Sequence, residues 1–306
     1  MAGSTLASPS AEPVSGAAQT SAATSPGRET WKRFRRHKLA MASSFVLGTM
    51  ILGVIVGPWL WPVPINEIDF SAQLQTPSLK HPFGTDDLGQ DLLARMIYGG
   101  RISLAVGLAA MVVATFVGIL IGAIAGMSRG YVDNFLMWVT DLFLSLPQLP
   151  LLLLVIYFFR EQLKAVFGVE GGVFILIVIV IGGLKWMPVA RLVRAQFMSL
   201  REKEFVEAAR AHGATKFRQM VHHILPNAIG PVIVAATIAE STLSFLGLGF
   251  PPDIPTWGRL LSDAKDHLDS APHWALFPGA AIFLTVLSIN FIGDGLRDAL
   301  DPRRVI

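Results

Sequence analysis

The chain contains no cysteine and little charge. None of its 306 residues is cysteine, which excludes a disulfide, a thiolate nucleophile and a cysteine-ligated metal. Only 15% of the residues are charged, whereas 52% are hydrophobic. A soluble domain of this size needs a larger charged fraction to cover its surface. Together with a mean hydropathy of +0.54, the composition therefore indicates a membrane protein.

The sequence also lacks the common signatures of catalysis. It has no GxxxxGK[ST] loop to hold a nucleotide phosphate, no HExxH and no GxSxG. His222 and His223 are adjacent, so on a helix they would point to different faces and do not predict a metal site. We expect no catalytic residue, no cofactor and no metal in this chain.

Six apolar runs are long enough to cross a bilayer, which takes roughly 20 residues of helix. They predict an all-α, polytopic membrane protein with six transmembrane helices, over residues 39–61, 102–127, 132–159, 172–189, 228–250 and 275–292.

The positions of the basic residues predict the orientation of these spans. Lys32, Arg33, Arg35, Arg36 and Lys38 precede the first run and should hold the N-terminus in the cytoplasm. Six spans then place both termini inside. Under this topology only seven of the 25 Lys and Arg residues lie outside: Lys80, Arg95, Arg101, Arg160, Lys164, Arg259 and Lys265. This bias is the one expected of a membrane protein with both termini inside.

The first residues differ in composition from the rest. Residues 1–27 are rich in Ala, Ser, Thr, Pro and Gly and contain no apolar run, which predicts a disordered cytoplasmic tail rather than a cleaved signal peptide. We take the tail as 1–30 and the transmembrane domain as 31–306. Within that domain we expect an external loop over 62–101 and a cytoplasmic loop over 190–227.

Glycine and proline residues inside the spans predict how the helices pack. Gly118, Gly122 and Gly126 recur every four residues and would allow a second helix to approach closely. Pro147 and Pro150 remove backbone donors and should kink the third span.

Two carboxylates, Asp141 and Glu240, fall within predicted spans. A charge in hydrocarbon is costly, so each should face other helices or water. They could bind protons or substrate, or each could pair with a neighbouring helix. We favour the structural interpretation, because neither carboxylate has a partner acid or histidine close to it in its span.

The longest cytoplasmic segment, residues 191–227, predicts a helix, a glycine turn and a second helix. Helix formers run from Glu202 to Ala211, Gly213 is a natural stop, and Thr215 can cap the helix that leads to Pro226. The small face of the first helix suits the groove of a partner protein. An amphipathic helix lying on lipid headgroups fits the composition equally well.

A motif in this segment resembles the EAA loop of bacterial ABC importer permeases. Glu207-Ala208-Ala209 is followed after three residues by Gly213, and after nine more by His223-Ile224-Leu225-Pro226. His223, where many members have Ile, is similar to the peptide and nickel branch. The resemblance implies that this loop couples to an ATPase, through Glu207, Ala208, Ala209, Gly213, His223, Leu225 and Pro226.

Four further stretches are similar to the second permease subunit of dipeptide and oligopeptide importers, the DppC and OppC kind. They are His81–Leu104, Glu240–Gly249, Pro255–Leu261 and Asp294–Arg303. The chain departs from the family pattern at Gln90, where Arg is expected, which puts a salt bridge from that position in doubt. The run Asn227–Glu240 is also about seven residues short, or ~10.5 Å of helix.

The resemblance implies a type I ABC importer permease fold in the bacterial plasma (inner) membrane. The implied partners are a second permease, two ATPase subunits or domains, and an external substrate-binding protein. The implied substrate is a short peptide, with nickel, another metal chelate or glutathione as alternatives. A self-sufficient secondary transporter or channel is the competing interpretation, but it should show internal repeats and paired midplane charges, and the sequence shows neither.

Overall fold

The computed structural model describes residues 26–226, residue 228 and residues 254–300. Within these residues the regular structure is helical, apart from one isolated bridge between Thr85 and Asp91. The helices in chain order are α1 Pro26–Arg36, α2 Lys38–Leu60, α3 Leu92–Met127, α4 Tyr131–Ser145, α5 Gln148–Leu200, α6 Glu204–Ala211, α7 Lys216–Arg218, which continues as a π-helix over Gln219–Ile224, α8 Trp257–Ala264 and α9 Pro272–Leu300. The all-α prediction is confirmed.

Four helices of the described part, α2, α3, α5 and α9, are long and apolar enough to cross a membrane. In α2 only 17% of the 18-residue apolar stretch is buried inside the chain, and the share in α3 is the same. Most of their apolar side chains therefore face outward, where lipid or another subunit can cover them.

Helix α5 consists of two arms that reverse direction at Gly168, whose φ of 76° and ψ of 173° are not helical. The arms, 148–167 and 169–200, pack side by side, since Leu152 and Leu184 lie in one core cluster. As one rod, a helix of 53 residues would extend roughly 80 Å, far beyond the thickness of a bilayer. The reversal lets α5 supply two passes instead.

The predicted third span is interrupted where proline was expected to act. Helix α4 ends at Ser145, Pro147 is the N-cap of α5, and the first arm of α5 continues beyond the predicted end at residue 159. The fourth run, 172–189, lies inside the second arm. The fifth run, 228–250, falls outside the described residues except for Ala228. The described residues therefore do not test the predicted count of six spans.

Helices α3 and α5 pack closely along the glycine stripe of α3. A Cβ added at Gly118 would lie 2.6 Å from the Val189 side chain, and one at Gly122 would lie 2.5 Å from the Ala190 carbonyl oxygen. At Gly126 the added atom would lie 2.5 Å from Cβ of Phe197. The predicted close approach is confirmed, and α5 is the helix that makes it.

Helix α1 corrects the expected boundary of the N-terminal tail. It begins at Pro26, so residues 26–30 are helical rather than part of a disordered tail. The packing of its apolar face explains the difference, because Phe34 is buried against Ala40 and Ala299. Residues 1–25 lie outside the described part of the chain.

At the end of the bundle opposite to α6, the expected external loop 62–101 is shorter than predicted. Helix α3 already begins at Leu92, where the Asp91 carboxylate accepts a hydrogen bond from the Ala94 amide at 2.8 Å. An N-cap of this kind satisfies a backbone donor that has no partner within the helix. Residues 92–101 are therefore the first turns of α3.

A buried ion pair holds this loop against α3. Arg95 Nη1 lies 2.9 Å from Asp86 Oδ2, and the two side chains are 6% and 2% exposed. Burial raises the pKa of Asp86, although hydrogen bonds and the Arg95 charge act in the opposite direction. Gln90, where the family pattern has Arg, donates its backbone N–H to Asp86 at 2.8 Å. Arg95 thus makes the salt bridge of this loop, and residue 90 contributes only a backbone hydrogen bond.

Candidate functional site

Helix α6 carries the Glu-Ala-Ala part of the predicted coupling motif, and a complete backbone cap ends it. The Ala214 amide donates to the Ala209 carbonyl at 3.0 Å, and the Gly213 amide donates to Arg210 at 2.9 Å. This is the Schellman arrangement, which needs a left-handed residue after the helix. Gly213 has a φ of +80°, which confirms the conformation expected from its place in the sequence.

Among the described contacts, one buried side chain anchors α6 to the rest of the protein. Val206 is fully buried in a cluster with Val193 and Phe197 of α5, Ala123 of α3 and Ile224 of the π-helix. An isolated helix of 8 residues is not stable in water. The position of α6 is therefore set by this contact and by the turn at Gly213.

The other face of α6 is open to a partner. Glu207 and Ala208 are exposed and Ala209 is half-buried, while Phe205 is 40% exposed. Phe217, just after the turn, is 68% exposed. Small residues between two accessible aromatic rings make a surface that another protein can contact closely.

The segment after Gly213 folds back on the same cluster. Thr215 Oγ1 accepts from the Arg218 amide at 3.3 Å, which confirms the expected cap. Gln219 is buried and donates its Nε2–H to the Ala214 carbonyl at 2.7 Å. From Gln219 to Ile224 the backbone is π-helical, an irregularity that sequence reasoning did not anticipate and that is frequent at functional sites.

The structure separates the seven predicted coupling residues into two groups. Glu207, Ala208, Ala209 and Gly213 lie together on α6 and its terminal turn. The second group, His223, Leu225 and Pro226, lies on the following helical segment, with Leu225 packed on the buried cluster. Pro226 is exposed at the edge of the described residues.

Arginine residues of α5 fix the base on which α6 stands. Arg194 makes two hydrogen bonds to the Asp133 carboxylate of α4, at 2.6 and 2.7 Å. Arg201 donates to the Gly126 carbonyl at 2.7 Å, at the end of α3. Cations are favourable at such free carbonyls. These contacts were missed from the sequence, because their partners are separated by many tens of residues.

Asp141, one of the two carboxylates inside predicted spans, pairs with Arg191 of α5. The side chains remain 59% and 52% exposed, respectively. Asp141 thus pairs with a neighbouring helix, the arrangement that the structural interpretation predicts. Glu240 lies outside the described residues. Within the described residues no group of three His, Cys, Asp or Glu side chains is arranged to hold a metal ion.

Comparison with known proteins identifies the class to which this fold and loop belong. Residues 118–306 match the model of the binding-protein-dependent transport system inner membrane component. Residues 25–77 match the N-terminal TM domain of oligopeptide transport permease C. The chain belongs to the family of binding-protein-dependent transport system inner membrane components.

Relatives of similar length place the chain more narrowly. It is 40% identical over 289 residues to the dipeptide transport system permease protein DppC of Alkalihalophilus pseudofirmus, covering 92% of this chain and 91% of that one. The oligopeptide transport system permease protein OppC of Haemophilus influenzae is 38% identical over 290 residues, 90% of each chain. OppC of Escherichia coli K12 is 39% identical over 290 residues, 90% of this chain and 92% of that one.

Family and fold together establish what the chain does in general terms. It is a multi-pass inner-membrane permease subunit of an ABC importer. It is not an enzyme, since ATP hydrolysis takes place in separate subunits. Such a permease works with a partner permease, ATPases and a binding protein.

Proposed function

We propose that this chain forms half of the translocation pathway of an importer for dipeptides or oligopeptides. The support is the substrate in the names of its relatives, which match over about nine tenths of the chain. The partner would be a second, related permease. Two ATPase subunits or domains would bind at one end, and an external binding protein would deliver peptide at the other.

The end that carries α6 is assigned to the cytoplasm, with both termini on that side. This assignment rests on the distribution of basic residues, most of which lie in α1, around α6 and after α9. Residues 62–91 and α8 would then face the binding protein. In this arrangement 31–306 is the permease domain and 190–227 is its coupling segment.

The exposed face of α6 is the proposed docking surface for the ATPase. Glu207, Ala208 and Ala209 would enter a groove of the ATPase, and the Gly213 turn would fix the angle of the helix. The observation that carries this proposal is the contrast within α6: one buried anchor, Val206, and an otherwise accessible surface. A rigidly anchored short helix can pass a movement of the ATPases on to α3 and α5, on which it rests.

Two substitutions test this docking surface. Ala209→Trp adds volume to a packed contact, which such contacts tolerate poorly. Gly213→Val places a branched side chain at positive φ, at a cost of roughly 1 kcal/mol or more. Both variants should insert into the membrane but bind less ATPase, transport less peptide, or both. Glu207→Lys should act in the same way if basic groups of the ATPase face this carboxylate.

A control exists for the glycine. Gly130 also has a positive φ, +73°, and neither glycine has a described atom within 4 Å of an added Cβ. The ψ of Gly130, −128°, lies outside the left-handed helical region, so Gly130→Val imposes at least as much backbone strain outside α6. The measurement is the ATPase bound to the purified complex and the hydrolysis stimulated by loaded binding protein. Normal values for both Ala209→Trp and Gly213→Val would remove α6 from the coupling path.

A further inference from the structure

A short non-helical break separates α4 from α5, and it lies on an exposed face of this pair of helices. Leu146 and Pro147 separate α4 from α5, and both are exposed. Within the hydrocarbon layer, non-helical backbone is tolerated only where protein covers it or where it lines a water-filled cavity. This face of the chain is therefore not turned toward lipid.

The break lies near the middle of the membrane. Gln148, the first residue after it, has its Oε1 3.2 Å from Lys185 Nζ. Lys185 precedes Arg194 by nine positions on the second arm of α5, which corresponds to ~13.5 Å of helix. We take the Arg194–Asp133 ion pair as the edge of the hydrocarbon layer near α6, because charged pairs are favourable at the interface, and half of that layer is ~15 Å. Lys185 and the break thus share a position close to the midplane.

Among the residues that the structure describes, no carboxylate neutralises the ammonium group of Lys185. Among the described residues its one hydrogen-bond partner is the neutral Gln148 amide. The two carboxylates of α4 on this side, Asp133 and Asp141, are taken by Arg194 and Arg191. Ionisable side chains inside a membrane are costly and usually line substrate or ion pathways. An ammonium has three donors, so two remain for a ligand.

We propose that Lys185 lines the translocation pathway beside the helix break and binds a carboxylate of the passing peptide. The inference rests on the proposed peptide function and adds a contact within the membrane to it. The exposed Asp141–Arg191 pair extends the same polar face toward α6. Discontinuous helices near the midplane form substrate sites in other transporters for the same physical reason. The interaction is a charge-assisted hydrogen bond and requires no proton transfer.

The absence of native cysteine allows a direct test of this charge. Lys185→Cys is assembled with cysteine-free partner subunits in vesicles, and peptide uptake is measured with saturating loaded binding protein. Uptake should fall at least tenfold. A reagent that attaches an aminoethyl group through a disulfide restores the positive charge and should return uptake to within about threefold of wild type. Methylthiolation of the same protein should not.

A control and a comparison of two peptides complete the design. Lys164→Cys, on the first arm beside Glu161, should respond to neither reagent. The wild-type complex should import a peptide with a free C-terminal carboxylate faster than the same peptide amidated at its C-terminus, and Lys185→Met should reduce this difference. Because both reagents act on one assembled protein, a folding defect cannot imitate the difference between them.

Three results would overturn the proposal. Uptake by Lys185→Cys could be normal, or methylthiolation could restore it as well as the charged reagent. Alternatively, Glu240→Gln, or removal of an acidic residue of the second permease, could rescue Lys185→Met, which would make Lys185 half of a structural ion pair. If the wild-type complex failed to import any peptide, the proposed function itself would fall, and this inference with it.

Discussion

Val206 is the most informative position at which to perturb α6, because its side chain faces away from any partner. It is fully buried, and the cluster around it includes Val193, Phe197 and Ile224. Val206→Ala removes two methyl groups and leaves the exposed face of α6 unchanged. The substitution therefore weakens the anchor of the helix without altering the proposed docking surface.

The size of the effect follows from the burial of this side chain. Each buried methyl or methylene contributes about 0.8 kcal/mol, and the cavity left behind raises the total for the two to ~2 kcal/mol. Because 1.4 kcal/mol corresponds to a factor of ten, the population with α6 detached should rise about 30-fold. An 8-residue helix has no other means of remaining folded once it is detached.

Amide hydrogen exchange measures this local opening directly. In the permease subunits purified without the ATPases, the amides of residues 208–213 should exchange roughly 30-fold faster in Val206→Ala, in line with the ~2 kcal/mol loss. The matched control is Phe205→Ala, since Phe205 is adjacent, 40% exposed and outside the cluster. Unchanged protection in Val206→Ala would refute the idea that Val206 holds α6 in place.

Four further predictions test other parts of the structure. Gly122→Val should lower the free energy of unfolding by about 2 kcal/mol or more, because the added Cβ meets the Ala190 carbonyl. Gly183→Val, with nothing within 4 Å, should change it by less than about 1 kcal/mol; equal effects in denaturation would contradict the glycine contact. Asp86→Ala should cost about 3–5 kcal/mol by leaving Arg95 buried without its carboxylate, and adding Arg95→Met should recover part of it, while the Gln90 amide stays without its acceptor; no recovery would argue against the ion pair. Asp141→Asn should keep most of the uptake, since an amide still accepts from Arg191; complete loss with normal assembly would indicate a step that needs the charge. Reporters after residue 75 or near Asp266 should be accessible from outside and one after residue 212 only from inside; the reverse would exclude the coupling assignment.

Local patterns in the sequence predicted the local geometry well. Gly213 follows a run of helix formers, so its positive φ could be expected. The spacing of Gly118, Gly122 and Gly126 predicted a close helix contact, which α5 makes. Pro147 and Pro150 predicted a kink in the third span, and at Pro147 the helix is interrupted altogether. Each of these features depends on neighbours within one or two turns of helix.

Features that depend on distant residues could not be predicted in the same way. The sequence placed Asp141 in a span but did not indicate that Arg191, on the far side of a hairpin, would pair with it. A turn near Gly168 was expected between the third and fourth runs, but the packing that lets helix continue on both sides of this one residue was not. The first turn of α1 could not be told from the tail, since the helix is stabilised by Phe34 packing against α9. In each case the contact forms only after the spans have assembled.

The central claim is that α6 contacts the ATPase, and photo-crosslinking tests it most directly. Because the chain has no cysteine, Ala208→Cys carries a unique thiol in this subunit for a benzophenone label on the exposed face of α6. Irradiation of the assembled, transport-competent complex should join this chain to the ATPase, whereas the same label at Asp266→Cys, at the opposite end, should not. A complex that imports substrate but gives no ATPase adduct from position 208, or gives one from position 266, would contradict the account.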